Sequence, residues 1–153
     1  MTTTVATAED IYADPSALIP LYLHQPRSRA IVAWRARLPG SLPVTHHGRA
    51  EIANAIGLAQ FRGEVSSEKA IEAWGALDHD FAEGNLQQTS VMLRAALNQA
   101  IELSRTHSPT LGTRASDVLH VACAMELKLK HFLTFDERQQ KLAAACGLKP
   151  VKL

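Results

Sequence analysis

Cysteine is scarce in this chain, with two residues, Cys123 and Cys146, in 153. Two thiols, one in a helical pattern and one just before Gly147, cannot build a disulfide scaffold and read as packed free thiols in a reducing compartment. Neither sign of charge is in clear excess. With 16 Lys and Arg against 15 Asp and Glu the formal net charge is +1, so no global field draws the chain to nucleic acid, and a polyanion has to be held by a local basic strip. Long apolar runs are also lacking, which excludes a membrane-spanning helix. Residues 1–10 are rich in Thr and Ala, with acids at Glu9 and Asp10, and have neither the basic region nor the apolar stretch of a signal peptide. The expected location is the cytoplasm.

What is present is a globular balance. Hydrophobic residues make up 46% and charged residues 20%, a mixture that disfavours disorder and fibrous states. The length suits one domain over 1–153 that buries about two thirds of the surface of its unfolded chain. No internal repeat or low-complexity segment interrupts it.

The run Ile11-Tyr12-Ala13-Asp14-Pro15-Ser16-Ala17-Leu18-Ile19 organises the reading. Its spacing predicts a buried strand passing directly into a helix, with Asp14 at the seam, Pro15 fixing φ and Ser16 capping the helix. A short helix over 17–23 and a second from Pro26 to about Leu38 follow, the latter with Ala30, Ile31 and Trp34 as its apolar stripe. Residues 42–45 are β-prone, and Thr45 is placed to cap a helix over 49–61 that carries Glu51 in its early turns. Ser67, Ala70, Ile71, Trp74 and Leu77 recur at helical spacing over 66–81. Residues 86–89 suggest an edge strand. A long helix with Val91, Leu93, Ala96, Leu97, Ala100, Ile101 and Leu103 on its apolar side is bounded by Ser108-Pro109 and Gly112. Ser116-Asp117 opens another helix, residues 131–135 form a strand ending at Asp136, and a last helix stops at Gly147, with a short strand over 149–153 after it. Helices alternating with short apolar runs predict an α/β fold: a three-layer α/β/α sandwich around a short, mostly parallel sheet.

Parallel strands turn their carboxyl ends to one crevice. That topology collects Asp14, Glu51 and Asp136 at one edge, within reach of Asp117 from the end of its helix. Either these are independent caps and surface acids, or they form a cluster whose repulsion protons or cations must offset. Oxygen-only donors suit Mg²⁺ or Mn²⁺. Two such ions, about 3.5–4 Å apart, are suited to in-line displacement at a phosphodiester.

Four segments in this order resemble the PIN-domain nucleases, in particular the VapC-type toxins of bacterial toxin–antitoxin pairs. Residues 12–18 are similar to the family's opening strand with its acid and following Ser. Glu51 within 44–52 is similar to the second acid, Asp117 within 117–122 to the third-acid helix, and Asp136 within 133–139 to the strand bearing the fourth. The resemblance implies a PIN-like fold in which Asp14, Glu51, Asp117 and Asp136 hold Mg²⁺ or Mn²⁺ and cleave single-stranded or structured RNA, leaving a 5′-phosphate and a 3′-hydroxyl. It also implies a homodimer silenced by a cognate antitoxin. His46-His47 departs from the small polar residues usual at that place, and Val118 from the usual Ala.

Several neighbours have two readings each. His47 lies four residues from Glu51 and is either a nitrogen ligand or a half-exposed residue touching substrate. His120, one turn from Asp117, is expected to orient a carboxylate or pack. Ser16 and Thr134 are either outer-shell partners of the acids or plain caps. Arg114 and Arg138 are placed to pair with the acids or hold a phosphate, or serve only solubility. The Trp34 helix, with Leu18 and Leu21, is either an apolar wall for an antitoxin helix or internal packing. Two rival functions remain: a PIN-like module that binds RNA or protein without cutting, and an Asp-dependent phosphoryl-transfer domain. The usual second Asp of dehalogenase-like phosphatases is replaced here by Ser16.

Overall fold

Residues 6–153 are described by the computed structural model, so half of the 1–10 segment read above lies outside the described residues. The opening run is a strand, β1 (Ile11–Ala13), feeding a short helix, α1 (Pro15–Leu18), and a 3₁₀ turn (Ile19–Leu21). Helix α2 (Ser28–Arg37) leads to β2 (Leu42–Thr45), α3 (His46–Phe61), α4 (Ser67–Ala82) and β3 (Leu86–Thr89). The second half is α5 (Leu93–Leu111), α6 (Ala115–Glu126), β4 (His131–Leu133), α7 (Glu137–Ala145) and β5 (Lys149–Pro150). All strand pairings are parallel. β4 lies between β1 and β5, with Tyr12 opposite Phe132, while β2 pairs with β3.

Strand side chains alternate between two layers, because successive residues point to opposite faces. Ile11, Ala13 and Leu133 enter one core with Leu18, Ile31, Leu42, Ile52, Ile56 and Leu77. Tyr12 and Phe132 point the other way, into a core with Ala96, Leu103, Val118, Val121 and Leu142. Burial on both faces defines the α/β/α sandwich and sends the carboxyl ends of β1 and β4 to a common edge. No helix among the described residues is long and apolar enough to cross a membrane.

The structure corrects several local expectations. Asp14, not Ser16, caps α1, its side chain accepting from the Ser16 N–H with Pro15 in the first helical turn. Pro15 has no N–H to offer there, which favours the residue before it as the cap. Pro109 lies inside α5, which continues to Leu111 and closes on left-handed Gly112. Ile71, Leu97 and Ile101 are exposed, and the small side chains Ala70, Ala73, Ala96 and Ala100 take the packed positions. Ile31, Trp34 and Leu18 are buried together, so the Trp34 helix spends its apolar side on the core.

Candidate metal centre

The site is assembled at the strand ends by helix caps. The Asp14 N–H makes a further bond of the ladder, to Leu133 O at 2.9 Å. Asp14 as a whole is 4% exposed. Oδ2 accepts from the Ser16 N–H at 3.1 Å and from the Ser16 hydroxyl. Asp136 caps α7, with Oδ1 accepting from the N–H groups of Arg138 (2.8 Å) and Gln139 (3.0 Å). Its own N–H donates to Thr134 Oγ1 at 3.1 Å. Thr134 therefore shapes the loop that presents Asp136. Asp117 occupies the first turn of α6, 3.4 Å from Arg114 Nε.

Gln139, in the first turn of α7, joins these parts. Its Nε2 donates to Asp14 Oδ1 at 2.9 Å and to the backbone carbonyl of Asp117 at 3.2 Å. The residue is 1% exposed, and its Oε1 has no hydrogen-bond partner. This residue was overlooked as a site residue in the sequence. The available signal was its position three residues after a capping Asp, where a side chain points back toward the strand end.

Glu51, on α3, is held by a different set. Both of its carboxylate oxygens accept from His120 Nε2, at 3.0 and 3.1 Å. His120 Nδ1 is 2.6 Å from the Tyr12 hydroxyl. His120 follows Asp117 by one turn of α6, so Glu51 joins the aspartates through that helix. His47 stacks on His120 with ring centroids 5.2 Å apart. Its Nε2 faces Thr45 Oγ1 at 3.4 Å and Cys123 Sγ at 3.8 Å. His46 Nε2 contacts Gln88 at 2.8 Å. Arg138 reaches the Gly112 carbonyl at 3.4 Å instead of an acid.

Electrostatics follow from this crowding. Burial, reinforced by the charges of Asp14 and Asp136, pushes the Asp117 carboxyl above its ordinary range, against a smaller opposing effect of Arg114. Burial and the neighbouring His120 hold His47 below the usual histidine range. Burial raises the Cys123 thiol to about 11, leaving it unreactive.

Among the described residues, no three His, Cys, Asp or Glu side chains are grouped closely enough to hold a metal ion. The chemistry of the donors nevertheless fits a hard cation. Three aspartates repel one another through Asp117, and the orphaned Oε1 of Gln139 adds an unpaired acceptor beside Asp14. A divalent cation with its hydration shell would satisfy both demands.

Residues 11–145 match the family model described as PIN domain. The chain belongs to the PIN-domain family. No curated protein matches it. Among solved structures, this PIN domain is similar to "Crystal Structure of FitAcB from Neisseria gonorrhoeae", at 18% identity, covering 93% of this chain and 96% of that one with a TM-score of 0.60. That likeness is one of fold. It agrees with the layered PIN-domain architecture described above, in which Asp14, Asp117 and Asp136 sit around Gln139.

Proposed function

We propose that this PIN domain, spanning 1–153 as one unit, is a Mg²⁺- or Mn²⁺-dependent endoribonuclease acting in the cytoplasm as the toxin of a toxin–antitoxin pair. The observation that carries the reading is the bridge made by Gln139, which bonds Asp14 Oδ1, the Asp117 carbonyl and Asp136 Oδ1 and so brings three aspartates from distant elements together. Like charges gathered from distant elements cost stability unless a cation offsets them. Asp14, Glu51, Asp117 and Asp136 would hold it. Bound there, Mg²⁺ or Mn²⁺ would neutralise charge on a scissile phosphodiester and make water more acidic.

The chain's own groups do the positioning. Ser16 and Gln139 grip separate oxygens of Asp14, so its carboxylate is oriented before substrate arrives. Thr134 orders the Asp136 loop. Arg114, with a side chain 80% exposed beside Asp117, is free to turn toward a phosphate of single-stranded or structured RNA. Leu93, Leu97 and Ile101 leave an apolar stripe on the outer side of α5, which suits a homodimer contact. A cognate antitoxin completes the reading, on the strength of the sequence resemblance.

Cleavage of a mixed RNA pool tests the proposal. The protein should cut with added Mg²⁺ or Mn²⁺ and not with chelator, and Asp14→Asn should lower the rate by more than about 100-fold while retaining the fold. Equal rates for the parent and Asp14→Asn would overturn it. The rival reading, a module that binds RNA without cutting, gives a different outcome in the same assay. In that case RNA is retained intact, with or without metal.

A further inference from the structure

We propose that Tyr12 and His120 are positioning residues that aim the Glu51 carboxylate at the cation site, through a directed chain from the Tyr12 hydroxyl to His120 Nδ1 and from His120 Nε2–H to Glu51. The inference rests on the reading of Glu51 as a metal ligand. The links measure 2.6 Å from Tyr12 to His120, and 3.0 and 3.1 Å from His120 to the two oxygens of Glu51. A carboxylate can only accept, so Nε2 carries the proton on that side. In the neutral ring Nδ1 is then an acceptor, and a phenolic hydroxyl fills it by donating. The tyrosine thereby selects the tautomer that can hold Glu51.

The first two members of the chain are rigid and the third is not. Tyr12 stacks on Phe132 with centroids 5.5 Å apart and rings 4° from parallel. His120 is 1% exposed and lies against the His47 ring. The Glu51 side chain, in contrast, is 45% exposed and hangs from the surface of α3. Packing alone does not call for this arrangement, because an apolar side chain would fill the His120 volume without needing partners for two buried nitrogens. The chain crosses three elements, β1, α6 and α3, and ends on Glu51, which, unlike Asp14 and Asp136, caps no helix. A partner that fixes the orientation of a ligand in this way typically governs about 10–100-fold in metal affinity.

Mn²⁺ titration followed by electron paramagnetic resonance, together with ¹⁵N spectra of the histidine rings, tests the chain in the intact protein. Tyr12→Phe keeps the stack on Phe132 and removes only the hydroxyl. In the neutral ring, identified by its ¹⁵N shifts, His120 should be the Nε2–H tautomer in the parent and lose that preference in Tyr12→Phe. Mn²⁺ affinity should fall about 10-fold in Tyr12→Phe and show no further fall when the same change is made in a Glu51→Gln background. His120→Gln, which keeps one donor, should retain affinity that His120→Leu loses. Parental affinity in Tyr12→Phe, or an equal loss in the Glu51→Gln background, would overturn the chain. If Glu51→Gln alone binds Mn²⁺ like the parent, Glu51 is no ligand and the underlying reading of that residue fails too. Weakened binding by Glu51→Gln with parental binding by Tyr12→Phe refutes only the inference.

Discussion

Asp117 is the residue where the tension of the site is visible. Its carboxyl is pushed up first by burial and then by Asp14 and Asp136. A folded-state pKa above the unfolded value means that the stabilising contribution is fully present below the unfolded value and is lost as pH rises through the folded one. At neutral pH without metal, the charged side chain therefore costs stability. Little is lost in exchange, since its Arg114 partner is 80% exposed and such pairs contribute little. Asp117→Asn should raise the melting temperature of the chelator-treated protein at neutral pH, with the gain shrinking as pH falls toward the ordinary carboxylate range. An unchanged or lower melting temperature would show that the aspartates do not repel through this residue. Asp14 and Asp136 were legible in the sequence because each follows a short apolar run at the start of a helix. Gln139 was not, since a neutral amide in the first turn of a helix reads as surface, and only the fold turns it toward Asp14.

At the scale of elements, the caps both start the helices and present the acids. Thr45, marked as a cap in the sequence, accepts from the Gly48 N–H at 3.0 Å, and Ser66, which carried no such mark, accepts from the Lys69 N–H at 3.2 Å. The strands at 42–45 and 86–89 were also readable, because short β-prone runs lie between turn signals. The side of a helix that packs was less so. On α4 and α5 apolar residues spread over a wide arc, and the close approach of neighbours selected the alanines, leaving Ile71, Leu97 and Ile101 outside. Capping can be separated from charge by substitution. Asn caps about as well as Asp, so Asp136→Asn should leave urea stability nearly unchanged while weakening Mn²⁺ binding. Ser66→Ala should do the reverse, costing about 1 kcal/mol in urea with Mn²⁺ affinity intact. A large stability loss in Asp136→Asn would mean that its charge supports the fold and not the site.

Across the whole molecule, a chain with a formal net charge of +1 concentrates negative charge at one edge of its sheet. The parallel topology makes this possible: β1 and β4 end side by side, α6 delivers Asp117 to the same edge, and Gln139 ties the parts together. Two apolar cores, one on each face, hold those ends in place. A family resemblance made the fold readable in advance. That His120 orients a carboxylate or packs was readable; that the carboxylate is Glu51 was not, because it depends on how α3 and α6 are brought together. The most direct test is an anomalous-scattering map from crystals of the protein grown with Mn²⁺. The account predicts a Mn²⁺ peak touching carboxylate oxygens of Asp14 and of at least one of Glu51, Asp117 and Asp136. A saturated crystal with no peak beside Asp14, or with its Mn²⁺ bound only by other residues, would contradict it.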